Sequence, residues 1–317
     1  MLKNKNIIIT GAAGFIGSHL TDLLLKNNNF AFLIDNFNDY YLGKKEQLTQ
    51  ILDKFNNNNY KLIEGDLIDS SIFNEINKEV NVIFHLAAQA GVRYSIQNAA
   101  EITNNNITST VNIFEYALQK KLDKIVFASS SSVYGNPQYT PVDEEHPKNP
   151  ISPYAVSKLS GELYADYYFR EYGLPITSLR FYTVYGPRGR PDMAIRKFFN
   201  KMLRDEEIIV YGDGEQLRDF TYVSDIVNGL VLSAQIDKAS GEIFNLGCSN
   251  PISVNSLVDK MYSIIEKPKK LKYIEKQKGD VEITHSDISK ASKILGFKPK
   301  INIDEGLQLQ YNWQKSL

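Results

Sequence analysis

Along the first half of the chain, apolar residues gather in short runs, separated by longer stretches in which they recur every three or four positions. The runs are Asn6-Ile-Ile-Ile-Thr10, Phe30-Ala-Phe-Leu-Ile34, Lys61-Leu-Ile-Glu-Gly-Asp66-Leu67, Val80 to Ala87 and Lys124-Ile-Val-Phe-Ala128. Continuous apolar runs of this length, rich in β-branched and aromatic residues, read as strands buried on both faces. Helical spacing follows the first run at Ser18 to Leu25. It precedes the fifth at Ile107 to Gln119, where Val111, Phe114 and Leu118 recur after a polar entry at Asn104 to Asn106. Strands alternating with helices predict an α/β fold on a doubly wound parallel sheet. Further on, an amphipathic segment from Ile195 to Leu203 precedes a strand at Ile208 to Tyr211. Phe220 to Asp225 leads into another helix with Ser224 or Asp225 as its cap, and Ile243 to Gly247 is strand-like. The polar stretch 36–60, ending in Asn56 to Asn59, reads as a surface loop or frayed helix end with no chemistry of its own.

Ligands of such sheets sit at the carboxyl ends of the strands. The first run ends there in Gly11-Ala-Ala-Gly14-Phe15-Ile16-Gly17. Glycines permit a tight turn and close approach to a pyrophosphate, whose charge then meets the positive end of the helix that follows. The second run ends in Asp35 beside Asn36, about 20 residues on, where an acid accepts hydrogen bonds from a ribose and repels a 2′-phosphate. This favours NAD over NADP. Asp66 and Leu67 close the third run, and Asp66 is a candidate for the adenine amino group. The fourth runs into Leu86-Ala87-Ala88-Gln89, small enough for a cofactor's approach, with Arg93 as a phosphate or carboxylate ligand. The fifth ends in Ser129 to Ser132, either a polar loop or a cluster of hydroxyl donors. Tyr154 and Lys158 follow, four residues apart and so on one helical face with Cβ atoms about 5–6 Å apart. A lysine so placed favours the phenolate, and the phenol can then act as a general base.

Composition narrows the partners. Among 317 residues, 36 basic and 37 acidic side chains leave a net charge of −1, so no polyanion or nucleic-acid surface is expected. One cysteine, Cys248, and four scattered histidines give neither a disulfide nor a metal-ligand motif. The apolar run near the N-terminus is of strand length, and no run approaches the ~18 residues of a membrane span. The expectation is a cytoplasmic protein without a metal.

Four motifs in order, TGAAGFIG at 10–17, HLAAQ at 85–89, SSSSVYG at 129–135 and YAVSK at 154–158, resemble the extended short-chain dehydrogenase/reductase family, in its nucleotide-sugar epimerase and dehydratase branch. The resemblance spans essentially the whole chain. It implies a Rossmann-like NAD domain over 1–179, with returning segments near 219–242. A smaller, discontinuous UDP-sugar lobe would occupy mainly 180–317, built from roughly 180–218 and 243–290. It implies that Tyr154 is the base, that Lys158 binds the nicotinamide ribose and lowers the tyrosine pKa, and that Ser130 is the catalytic hydroxyl. It also implies a homodimer formed through the YxxxK helix and the helix before it.

The pair after Ser130 distinguishes the branches. Dehydratases carry Asp-Glu there and decarboxylases a glutamate, whereas Ser131 and Ser132 offer no acid, which leaves 4-epimerisation. The segment from Arg180 to Met193 resembles UDP-glucuronate 4-epimerases, with Thr183, Arg190, Ser131 and Ser132 implied around the sugar carboxylate. Tyr211 is implied against uracil and Arg218 on the diphosphate, although Arg218 can instead pair with Asp219. Gly279-Asp280-Val281 resembles the loop closing over the nucleotide. Lys276 and Lys278 stand where relatives have an arginine before that loop, and Ser109 stands where they have glycine, which implies local repacking. The rival readings are a 4-epimerase of UDP-glucose or UDP-N-acetylglucosamine, a UDP-sugar dehydratase or decarboxylase, and a non-catalytic NAD-binding protein.

Overall fold

The computed structural model describes residues 2–276 and 280–317, so Lys278 and Gly279 lie outside the described residues. The first six strands are β1 (Asn6–Thr10), β2 (Phe30–Asp35), β3 (Tyr60–Glu64), β4 (Val82–His85), β5 (Lys124–Ser130) and β6 (Ile176–Phe181). Then come β7 (Thr183–Tyr185), β8 (Ile208–Tyr211), β9 (Leu217–Arg218), β10 (Phe220–Tyr222), β11 (Ile243–Leu246), β12 (Ile252–Ser253) and β13 (Leu271–Ile274). Seven of these form one sheet in the order β11-β6-β5-β4-β1-β2-β3, and every pairing in it is parallel. β1 pairs with β2 on one side and β4 on the other, so the strand order reverses there and a crevice opens beyond its carboxyl end.

Helices α1 (Phe15–Lys26), α2 (Lys44–Leu52), α3 (Val92–Gln97), α4 (Ala99–Thr103), α5 (Ser109–Leu118) and α6 (Pro153–Tyr172) belong to the first half. The second half adds α7 (Ala194–Leu203), α8 (Val223–Gln235), α9 (Val254–Ile265), α10 (Ser289–Leu295) and α11 (Ile303–Lys315). Fully buried Ile7 and Ile9 point to one face of the sheet and Ile8 to the other, so two hydrophobic layers flank it. The remaining strands form three small pairs, β7 with β10, β8 with β13 and β9 with β12.

Three sequence expectations change. Ile243–Leu246, assigned to the sugar lobe, is the edge strand of the large sheet, paired with β6. Stretch 36–60 is not all loop: α2 buries Leu48, Ile51 and Leu52, an amphipathic pattern masked by lysine and glutamine. Neither Ser224 nor Asp225 caps α8. The helix starts after Tyr222 without a side-chain cap, and Asp225 turns inward to accept from the Ile301 amide at 3.1 Å. A π-helical turn at Asn104–Thr108 lies between α4 and α5, just before Ser109.

Helix α6 is fixed to the sheet by a buried ion pair. Arg180 on β6 donates from Nε and Nη2 to the two carboxylate oxygens of Glu162 at 2.9 and 2.7 Å, and both side chains are almost fully buried. Its Nη1 donates to the Tyr134 hydroxyl (2.7 Å) and the Glu144 carbonyl (3.1 Å), while Ser129 Oγ donates to Glu162 at 2.5 Å. With every oxygen partnered, the pair offsets its desolvation cost; with one partner removed it cannot. Arg180→Met is therefore expected to destabilise the protein by about 3–5 kcal/mol, and the Arg180→Met/Glu162→Leu double variant by much less. Denaturant unfolding measures both, and equal losses would refute this account.

Candidate active site

The crevice beyond β1 and β4 is lined by every residue that the sequence assigned to a dinucleotide: Gly11, Gly14, Phe15, Ile16, Gly17, Asp35, Asn36, Asp66, Leu67, Leu86, Ala87, Ala88, Gln89, Tyr154 and Lys158. The glycines have separate causes. Gly11 has φ +68°, and a Cβ on it would lie 2.8 Å from the Ala87 amide nitrogen; one on Gly17 would lie 2.0 Å from the Gly11 carbonyl oxygen. Side chains at either position would push helix and strand apart and close the crevice. Helix α1 begins at Gly14 with no side-chain cap and no acidic residue in its first turn, so amide donors remain for an anion.

Asp35 accepts from the Ala13 amide (3.0 Å) and the Phe37 amide (2.9 Å), which sets its carboxylate at the end of β2. Burial pushes its carboxyl up, against those two hydrogen bonds. Asn36 donates to Asp66 at 2.9 Å across the neighbouring strand ends. A glycine cradle, uncapped helix amides and a buried acid beyond the second strand fit the pyrophosphate and ribose of a dinucleotide.

Ser152 caps α6 by accepting from the Ala155 amide at 3.2 Å, with Pro153 at the first helical position. The helix then presents Tyr154, Lys158 and Glu162 along one stripe to the end of β5. Lys158 Nζ donates to the Ala128 carbonyl at 2.7 Å and lies 5.9 Å from the Tyr154 ring centre. Burial lowers its pKa to about 8, with Glu162 opposing. Ser132 donates to Ser130 Oγ from both its amide (3.2 Å) and its hydroxyl (2.8 Å).

Burial raises the Tyr154 pKa, and the groups that act against burial are the Arg190 guanidinium and a hydrogen bond from Ser130. Lys158, one helical turn along, has one N–H committed to Ala128.

A second group of assigned residues meets at the lobe. Arg93 pairs with Asp280 at 2.9 Å and lies over the Tyr211 ring at 4.6 Å. Arg218 senses the charges of both Asp280 and Arg93. Arg218 does not pair with Asp219: it donates to the carbonyls of Val281 (2.6 Å), Leu217 (2.8 Å) and Glu282 (3.3 Å). Asp219 instead accepts from the Cys248, Ser249 and Ser286 amides. Lys276 pairs with Glu282 at 2.8 Å on the surface. Thr183 lies apart from the crevice, in a small cavity with Phe15, Gly189 and Met193. Arg190 does line the crevice, but its Nε and Nη2 donate to Asp192 at 3.0 and 3.1 Å.

Sequence reasoning passed over several lining residues. Asn38, Tyr40, Tyr41 and Lys44 come from the insert that was assigned no chemistry. Asn38 donates to Gln89 at 3.0 Å and accepts from Lys44 at 2.6 Å. Asn106, in the π-helical turn, accepts from the Gln89 amide (2.7 Å) and donates to the Gln89 carbonyl (3.1 Å) and Ser157 Oγ (2.9 Å). The signals available were the paired tyrosines inside a polar stretch and the triple asparagine at 104–106.

The comparisons agree with this architecture. A family model described as GDP-mannose 4,6 dehydratase matches residues 8–310. A UDP-glucuronate 4-epimerase of Thermodesulfobacterium geofontis is 39% identical over 97% of this chain and 95% of its own. The structure of a UDP-N-acetylglucosamine 4-epimerase from Methanobrevibacter ruminantium, in complex with UDP-N-acetylmuramic acid, superposes with a TM-score of 0.92 at 34% identity, covering 99% of both chains. That of a UDP-glucuronic acid 4-epimerase from Bacillus cereus, in complex with UDP-glucuronic acid and NAD, gives 0.90 at 35% identity, covering 98% of this chain and 99% of the other. Matched over nearly its whole length by model, relative and structure alike, the chain belongs to the GDP-mannose 4,6-dehydratase family within the extended short-chain dehydrogenase/reductases, its matched relatives being NAD-dependent nucleotide-sugar epimerases and dehydratases.

Proposed function

We propose that this chain is an NAD-dependent 4-epimerase interconverting UDP-glucuronate and UDP-galacturonate. Two observations carry the reading: serines stand at 131 and 132, where the resembling dehydratases and decarboxylases have acids, and Arg190 lines the same crevice as Tyr154. Elimination of water across C5 and C6 needs an acid and a base there, whereas a 4-keto uronate can lose its carboxylate unaided, so holding the carboxylate in the sugar plane is what disfavours decarboxylation. Serines supply hydroxyl donors for a carboxylate without competing charge, and Arg190 adds charge-assisted hydrogen bonding from the Nη1 side that Asp192 leaves free.

Tyr154 takes the proton of the C4 hydroxyl and later returns it to the same oxygen, while Ser130 holds that oxygen in place. Lys158 keeps two N–H donors beyond its bond to Ala128, enough for a nicotinamide ribose. The glycine turn and the start of α1 hold the pyrophosphate, and Asp35 accepts from the adenosine ribose. When bound, NAD⁺ supplies the hydride acceptor and donor for C4 and a positive charge favouring the Tyr154 phenolate. The transient 4-keto sugar turns within the lobe before it is reduced again, and C4 is inverted. Tyr211 lies against the uracil, with Arg218 and Arg93 on the diphosphate and Asp280 in the loop beside them.

The similarity to a UDP-N-acetylglucosamine 4-epimerase, at nearly the same identity, favours a second reading in which the sugar is neutral. Arg190 separates the two. For assembly we propose a homodimer through α6, whose outer face exposes Val156 (48%), Leu163 (64%) and Tyr167 (42%) at helical spacing.

With NAD⁺ added, UDP-glucuronate is expected to yield UDP-galacturonate, followed by NMR of the C4 proton; no product at any NAD⁺ concentration rejects the reading. Arg190→Ala is expected to lower kcat/KM for both sugars through its effect on Tyr154, and to lower that for UDP-glucuronate roughly tenfold or more beyond the loss for UDP-N-acetylglucosamine; equal losses favour the neutral sugar. Leu163→Glu is expected to yield a monomer in sedimentation, whereas an unchanged mass moves the interface away from α6.

A further inference from the structure

Arg190 already holds a carboxylate. Its Nε and Nη2 donate to Asp192 Oδ1 at 3.0 Å and Oδ2 at 3.1 Å, and Nη2 also faces Met193 Sδ at 3.4 Å. Among the described residues Nη1 has no hydrogen-bond partner. A guanidinium has more than one edge able to form parallel hydrogen bonds, so one edge is engaged and the Nη1 side stays available to a ligand. Asp192 is braced in turn. It accepts from the Tyr40 hydroxyl at 3.3 Å, and the Tyr40 ring packs edge-on against Tyr94 with centroids 5.2 Å apart. Gly91 makes room for that hydroxyl, since a Cβ there would lie 2.5 Å from it. Tyr40 and Arg190 both line the dinucleotide crevice, so the insert after β2 and the loop after β7 meet at its wall.

We propose that Asp192 is a positioning residue for Arg190: it fixes the guanidinium by the Nε–Nη2 edge, leaves the Nη1 side for the ligand, and screens the cation from the Tyr154 phenol. What Nη1 binds rests on the carboxylate-sugar reading above; the screening of Tyr154 does not. Burial acts to raise the Asp192 pKa, but its bonds to Arg190 outweigh burial and hold the group below the usual carboxylate range, so it is ionised at neutral pH. The groups around the phenol are Ser130 at the end of β5, Lys158 one turn along α6, and Arg190 with Asp192 and Tyr40 behind it. Of these, Arg190 is the foremost influence opposing burial, and Asp192 is the negative charge bonded to it. The pair is partly exposed, with side chains 23% and 45% accessible, so Asp192→Asn is expected to leave the fold standing.

Asp192→Asn keeps the side-chain size and one acceptor but removes the charge. In the NAD⁺-loaded protein, tyrosinate absorbance, referenced to Tyr154→Phe, is expected to show Tyr154 ionising roughly half a pH unit or more lower than in the wild type. The acid limb of kcat/KM moves with it, and Asp192→Glu, which restores the charge, brings the titration back towards the wild-type position. An unchanged titration in Asp192→Asn, or the same shift in Asp192→Glu, overturns the proposal. Failure of the wild type to turn over UDP-glucuronate overturns the substrate reading instead, and the titration still decides on Asp192.

Discussion

The register of α6 against the end of β5 governs the rest of the site. Ala128 and Ser129 follow one another on the strand and meet Lys158 and Glu162, one turn apart on the helix, with Tyr154 one turn before them. Two elements can match residue for residue in this way only if the helix neither slides nor rotates. The Arg180–Glu162 pair prevents both, because a planar guanidinium and a carboxylate tolerate little misalignment in a buried setting. An interaction that touches no ligand therefore sets the positions of groups that do.

Burial is the dominant electrostatic influence in the crevice, and it acts on both halves of the Tyr154–Lys158 pair. It holds the phenol above its ordinary pKa and draws the ammonium down. Each side chain is pushed towards its neutral form, so the protein alone does not generate a strong base. Cations at the phenol decide the balance, and the structure supplies one from the chain, Arg190, placed across the crevice from the helix.

What could be read from the sequence followed the range of the signal. The glycine turn, Asp35, the strand runs and the Tyr154–Lys158 spacing are local patterns whose geometry follows from a few neighbouring residues, and the structure gathers them at one strand-order reversal. Features that depend on distant partners stayed hidden. Composition gave the insert after β2 as polar, but nothing local told that Tyr40 returns to meet Asp192. Arg218 beside Asp219 suggested an ion pair, yet alternation along a strand points neighbours to opposite sides, and each found partners from segments beyond residue 245. The π-helical turn coincides with the triple asparagine at 104–106, a polar entry too short of apolar residues for its spacing to be read.

The edge position of β11 bears on how such enzymes can be rebuilt. Because the chain leaves the large sheet after β6, builds part of the lobe and returns through α8 and β11 before leaving again, neither the sheet nor the lobe is a single stretch of polypeptide. A shortened chain ending near residue 180 would expose the open side of β6, an unpaired edge of the kind that invites association with other strands. Exchanging sugar lobes between relatives is accordingly a two-segment graft, with junctions on both sides of α8 and β11. New specificity in this architecture is more readily reached by changing side chains within the lobe than by recombining whole pieces.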